Sequence, residues 1–468
     1  MKKSLTLLFL SIFTFALFAQ SDDDLFGSDD DFFADDGIEE VSDVKAKSDL
    51  SKGVIFDSGT VKVGGSLTAG LSTNTILYAP DKENLGDNIH DTKFTPDLSA
   101  LLSVDARPTE TLRIYTKFGL AYPFENSAIS YTNLAGFPTF NGTQIDPASI
   151  KFQTTTTITD WFKLKELFTD FSIKDTAFFR FGIHTVTWGA GYFFSPVSDM
   201  INTSSIDPEN PEKQVDGALN LRTQIVFPGS QNCLWFYVIP STDFTNQTSE
   251  SYARDTALAG KADILIGNWE FGVGGFYKYQ NAPKAMLTAT GSLKKVSFFG
   301  EFVYSYGSAT EWRENTDWND KTSIIQATAG LSYYWKDPQI TLAAQYYYNG
   351  NDKDFPFNYI VGGHNIAAMV NFGKIFGNTD FTASLFTMAN FGREEFEDSE
   401  IAIFKTMGAT DDDLSKLSGS SLMSTAMIYY SPIKDMKFGM GPVLTFKTFD
   451  EKPTVAMKLT ATLGGGKF

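Results

Sequence analysis

From about Thr60 to the C-terminus the chain repeats one pattern. Stretches of about 10 to 15 residues alternate in polarity, are rich in Phe, Tyr, Val, Ile and Thr, and are joined alternately by short and long connections. The short ones are Arg107-Pro108-Thr109-Glu110, Lys174-Asp175-Thr176, Pro228-Gly229-Ser230-Gln231-Asn232, Gly267-Asn268, Lys294-Lys295, Lys336-Asp337-Pro338, Phe376-Gly377-Asn378 and Ser431-Pro432-Ile433-Lys434-Asp435. Gly, Asn, Asp and Pro supply the backbone angles of tight hairpin turns. The long connections are about 77–95, 122–155, 190–213, 242–255, 307–321, 349–363 and 391–419. A strand of about 10 residues tilted by about 40° spans roughly 25 Å, the height of a lipid-facing apolar band. The expectation is an all-β fold, a transmembrane antiparallel β-barrel of about 18 strands with short periplasmic turns and long extracellular loops.

The two-residue period assigns the faces. Leu112, Ile114, Phe118 and Leu120 oppose Arg113, Tyr115, Lys117 and Gly119; Leu167, Phe171 and Ile173 oppose Glu166, Asp170 and Ser172. Phe179, Phe181 and Ile183 oppose Arg180, Gly182 and His184, and Leu219, Leu221, Ile225 and Phe227 oppose Asn220, Arg222 and Gln224. Ile340, Leu342 and Ala344 oppose Thr341, Ala343 and Gln345 in the same way. A soluble sandwich would turn the greasy face inward, but it would not sort its connections into short and long sets. Trp269, Tyr277, Tyr279, Tyr346 and Tyr348, near strand ends, suit aromatic girdles at the two interfaces.

The N-terminus is read as a secretory signal peptide, residues 1–19, with Lys2 and Lys3 before an apolar run from Leu5 to Phe18. No cysteine stands at that cleavage site, and no later segment has the roughly 20 apolar residues of a membrane-spanning helix. Residues 20–58 are expected to form an acidic disordered segment. Asp22-Asp23-Asp24-Leu25-Phe26-Gly27 and Asp29-Asp30-Asp31-Phe32-Phe33 are followed by Asp35, Asp36, Glu39, Glu40 and Asp43, more like charge than can pack. The barrel is expected over 59–468. A net charge of −18 argues against a nucleic-acid partner, and the one cysteine, Cys233, excludes an intrachain disulfide framework or a thiolate-rich metal site. Phe468 resembles the terminal aromatic read by barrel-assembly machinery. The apolar alternation Leu459, Ala461, Leu463 is out of phase with it, so either the barrel ends near Leu463 or a bulge shifts the register.

The stretch Phe181 to Asn202 carries a more specific signal. A strand reaches Trp188-Gly189 and runs into Ala190-Gly191-Tyr192-Phe193-Phe194-Ser195-Pro196-Val197-Ser198-Asp199-Met200-Ile201-Asn202. This resembles a segment of several families of large porin-like bacterial outer-membrane β-barrels, and the Asp-Asp-Asp-Leu-Phe-Gly leader resembles those of spirochaete outer-membrane barrels. The resemblance implies a bacterial outer-membrane location and a barrel of porin type. Gly182, Gly189 and Gly191 let the backbone turn inward, so the loop is expected in the lumen.

A barrel of this size keeps an aqueous interior unless loops fill it. The expected role is therefore passive diffusion of small hydrophilic solutes, with outer-membrane lipid as the surrounding partner. A transporter of hydrophobic compounds and a surface barrel that only displays loops are the alternatives. Candidate pore-lining and constriction residues are Arg113, Lys117, Glu166, Asp170, Arg180, His184, Trp188, Asp199, Asn202 and Arg222, with Lys278, Glu270 and Glu301 among the further lining charges. Three histidines, His90, His184 and His364, accompany no nucleophile motif, so no catalytic residues, metal ligands or cofactors are expected.

Overall fold

The computed structural model describes residues 54–57, 59–80, 85–90, 92–122, 162–174, 176–186, 188–201, 217–241, 248–314, 317–351, 362–391, 401–402, 405, 420–433, 435–446 and 452–467. The signal-peptide and acidic-leader expectations up to residue 53, and those for Asn202 and Phe468, lie outside them.

The strands are β1 (Val54–Asp57), β2 (Val61–Tyr78), β3 (Phe94–Thr109), β4 (Leu112–Tyr122), β5 (Phe162–Ile173), β6 (Ala177–His184), β7 (Ala218–Val226), β8 (Cys233–Ile239), β9 (Ala257–Ile266) and β10 (Trp269–Tyr277). They continue as β11 (Lys284–Leu293), β12 (Val296–Tyr306), β13 (Ser323–Trp335), β14 (Ile340–Asn349), β15 (Gly363–Phe372), β16 (Phe381–Phe391), β17 (Ser421–Ile433), β18 (Met436–Phe446) and β19 (Thr454–Lys467). Each of β2 to β19 pairs antiparallel with its neighbours in sequence, and β19 pairs back onto β2 from Val455↔Tyr78 to Lys467↔Ser66. The 18 strands thus form a closed barrel with no free edge. No described helix is long and apolar enough to cross a membrane.

Beyond Ser66 the ladder passes to β1, which pairs Asp57 with Lys62 and Phe56 with Val63 and so extends the wall beyond the end of β19. This strand falls inside the stretch assigned from sequence to the acidic leader. The register near the C-terminus is shifted by a bulge between Gly464 and Lys467, with Gly464 at φ 84°, the second of the two alternatives open from the sequence.

All eight short connections read from sequence link adjacent strands at one end of the barrel. Gly267 (φ 63°) and Lys294 (φ 58°) take the left-handed conformation that closes their two-residue turns. At the other end two connections escaped the sequence reading, 278–283 and 447–453, because both are nearly as short as turns. Faces follow the alternation: Phe181, Leu167, Val238 and Ile428 are exposed on the outside, while Phe168, Glu301, Gln345 and Met427 are buried on the inside. The phase breaks once in β5. Lys117 pairs with Glu166 and Phe118 with Leu164, so Lys165 is an extra residue and exposed Leu164 and Leu167 keep the same face despite their odd spacing.

Candidate functional site

After β6 the chain leaves the wall and crosses the interior. Gly182, at φ 138°, has a backbone conformation open to glycine, and a Cβ there would run into the Leu167 carbonyl. Trp188, its ring edge-on to Tyr237 of β8 at 5.0 Å, donates its indole N–H to the Val197 carbonyl at 2.8 Å, closing Trp188 to Val197 into a compact turn of chain. Lys261 of β9 donates to the Trp188 carbonyl at 2.9 Å and pairs with Asp263 at 3.0 Å.

Two inward side chains on distant strands then hold the segment through its backbone. Glu301 of β12, 3% exposed, accepts from the amides of Ala190, Gly191 (2.6 Å) and Val197 (2.9 Å) and from the Ser195 hydroxyl (2.9 Å). Gln345 of β14, 2% exposed, accepts from the amides of Tyr192 (3.1 Å), Phe193 (2.6 Å) and Phe194 (3.2 Å) through Oε1, and its Nε2 donates to the Phe194 carbonyl at 2.6 Å. These irregular amides have no ladder to join, and buried donors left unsatisfied would cost about 1–3 kcal/mol each, so one carboxylate and one carboxamide supply what a sheet neighbour would. A Cβ on Gly191 would collide with the Phe194 carbonyl, and one on Gly189 with Ser195 and Glu301.

Apolar packing seals the same side. Val186, Trp188, Val197 and Met200 cluster with Tyr237, Ala259, Met286 and Val303 of β8, β9, β11 and β12. Phe193 and Phe194 cluster with Ala343 and Tyr347 of β14, Ala367 and Met369 of β15 and Phe386 of β16, with Met423 of β17 at the margin. β14 stands eight places round the barrel from β6 and β16 ten, so the segment reaches across the interior to the far wall.

The inner wall of β4 to β7 carries charge. Arg113, Asp170, Arg180 and Arg222 are successive partners in one cross-strand row of β4 to β7. Arg180 grips Asp170 with two bonds, 2.6 and 2.9 Å, and stacks over Phe168 at 4.0 Å. Arg113 holds Asp105 of β3 in the same two-bonded way, both at 3.0 Å, and lies 3.7 Å from Asp170. Lys117 and Glu166 pair at 3.9 Å, and Arg222 lies over Trp235 at 5.5 Å. Opposite faces of β18, β19 and β2 alternate Phe438, Met440, Leu459, Leu67 and Leu71 outside with Gly439, Gly441, Thr460, Thr68 and Gly70 inside, the Tyr429 ring lying against Gly439.

Of the residues singled out from sequence, Arg113, Lys117, Glu166, Asp170, Arg180 and Arg222 therefore share one patch of inner wall, and Asp199 is exposed on the crossing segment, in the short turn Ser198–Met200. Trp188 and His184, expected on the lumen surface, are buried instead, at 5% and 1% exposure. Trp188 is locked under its own segment, and His184 is enclosed edge-on to Phe168 at 5.9 Å beside Asn220. Gln345 and Lys261 were missed as site residues. Their partners are backbone amides and a carbonyl, which leave no mark in the sequence.

No family model matches the sequence, and no curated protein matches it. Among solved structures the chain is similar to OprD of Pseudomonas aeruginosa, at 11% identity and TM-score 0.45 over 91% of this chain and 98% of that one. It is similar to OccK1 (OpdK) of the same organism at 7% and 0.48, over 86% and 99%. A mutant porin of Rh. blastica gives 10% and 0.39, over 86% and 99%. At these levels function has to be read from the barrel's own register and interior contacts.

Proposed function

We propose that the barrel is a bacterial outer-membrane channel for passive diffusion of small hydrophilic solutes. The segment Trp188–Ile201 confines its passage to the side bounded by β18, β19 and β2 to β7. The observation that carries this reading is the fixing of that segment across the interior by Glu301 and Gln345. Among the described residues it packs on the inner wall of β8 to β17, while the inner wall of β4 to β7 carries ion pairs. The outward Phe, Leu and Ile residues supply an apolar belt for outer-membrane lipid, and the short turns face the periplasm.

A carrier of hydrophobic compounds would need an open apolar pocket, whereas both apolar clusters of the inner wall are filled by the chain's own Trp188, Val197, Phe193 and Phe194. In the channel reading the leader directs export, and Phe468 is the mark for barrel-assembly machinery. The test is reconstitution of the refolded chain into liposomes placed in isosmotic arabinose. Swelling faster than in empty liposomes is expected, and a rate equal to theirs would contradict the proposal.

A further inference from the structure

Where the crossing segment begins, the inner wall holds a buried ion pair separate from Glu301 and Gln345. Lys261 and Asp263 lie two residues apart on the inner face of β9, their side chains 8% and 9% exposed, and pair at 3.0 Å. Asp263 also accepts the indole N–H of Trp235 of β8 at 2.7 Å. Taking two charges out of water is costly, and apolar side chains of the same volume are often as stable in their place. The pair by itself therefore adds little to the barrel's stability. What no apolar side chain could supply is the bond that Lys261 donates to the Trp188 carbonyl at 2.9 Å.

The neighbouring strand makes room for this arrangement. Lys261 pairs with Gly274 and Asp263 with Gly272 of β10, and a Cβ on Gly272 would meet the Lys261 Cε, the Asp263 carboxylate and the Thr288 hydroxyl. From Asp263 one cross-strand row runs through Gly272 and Thr288 to Glu301, so the base and the middle of the segment are held at one level of the barrel. The two holds are of opposite kind. At the base an ammonium donates to the Trp188 carbonyl, and further along a carboxylate accepts amides between Ala190 and Val197.

We propose that Lys261 is the positioning residue of the constriction: oriented by Asp263, its ammonium holds the Trp188 carbonyl and so sets the point at which the segment leaves the wall. A charge-assisted bond in a dehydrated wall is stronger than its neutral counterpart, which suits it to the one place where the chain has to change direction. Glu301 and Gln345 hold the segment only beyond that point. The role rests on the channel reading for what the segment narrows, and not for the hold itself.

The test separates positioning from charge neutralisation. Lys261→Met alone would strand Asp263 in the wall, so the variant used is Lys261→Met/Asp263→Leu, which removes both charges and keeps the volume. Gly272→Ala is the second variant, since it crowds the Lys261 stem and leaves both charges in place. Hydrogen exchange of the refolded full chain in detergent, read over residues 188–201, and single-channel conductance are compared with the parent and with Lys294→Met in a distant turn. In both site variants exchange over 188–201 is expected to be about tenfold faster while the strands keep the parent's protection. Unitary steps are expected to grow by about half, with added sub-levels, and Lys294→Met should match the parent throughout. Parent-like exchange over 188–201 in both site variants would reduce Lys261 to a partner for Asp263 and overturn the proposal, as would faster exchange spread over all strands alike. A parent that conducts nothing, with exchange over 188–201 still raised in the variants, would instead contradict the channel reading and leave the positioning role standing.

Discussion

Arg180 is held by two bonds to Asp170 and by the face of Phe168, so its charge has a fixed place on the inner wall. Its neighbour Phe181 points to the outside of the same strand. A unit charge about 4 Å from a passing ion contributes about 4 kcal/mol at an effective dielectric constant near 20, and lumen water reduces this to about 1 kcal/mol, still several-fold in relative permeability. Under a salt gradient the reversal potential is expected to move toward cation selectivity in Arg180→Glu and toward anion selectivity in Asp199→Lys. Phe181→Leu should leave it in place, and identical potentials in all three would contradict the assigned passage. This much was legible from the two-residue period, which separates Arg180 from Phe181 without knowledge of the fold. The burial of His184 and Trp188 was not, because the period tells inside from outside and cannot tell open lumen from lumen filled by chain.

Among the elements, β2 offers the cleanest comparison. Leu67 is outside and Thr68 inside, on the stretch paired to Ala100 and Ser99 of β3 and, for Thr68, to Gly464 of β19. A bulky ring at Thr68 enters the space left by the small inner residues, whereas one at Leu67 enters lipid. Single-channel conductance is expected to fall by about half or more in Thr68→Trp and to stay within error of the parent in Leu67→Trp, the contrast following from the alternation alone. Equal conductance in the two would mean that solutes pass elsewhere. The turns were readable because Gly267 and the Pro, Asn and Asp residues around the other hairpins are a local chemical signal. The bulge at Lys165 and the strand β1 were not readable, since each is defined by its partner in another strand.

At the scale of the whole molecule the connections sort onto two ends, and this asymmetry sets the orientation. An epitope inserted in 391–419 is expected to be labelled on intact cells and one at Gly267-Asn268 only after the outer membrane is breached; the reverse would invert the orientation. In the channel proposal the folded-in segment, latched by Glu301 and Gln345, narrows an otherwise open aqueous barrel. Removing both acceptors leaves six backbone amides without their hydrogen-bond partners. At about 1–3 kcal/mol for each buried donor this loosens the hold on the segment, while the strand ladder closing the barrel is untouched. The decisive measurement is single-channel conductance of the refolded parent beside the double variant Glu301→Ala/Gln345→Ala. The parent is expected to conduct in discrete steps and the double variant in steps about twice as large or more with added current noise. A parent without steps, or a double variant that folds and conducts as the parent does, would contradict the account.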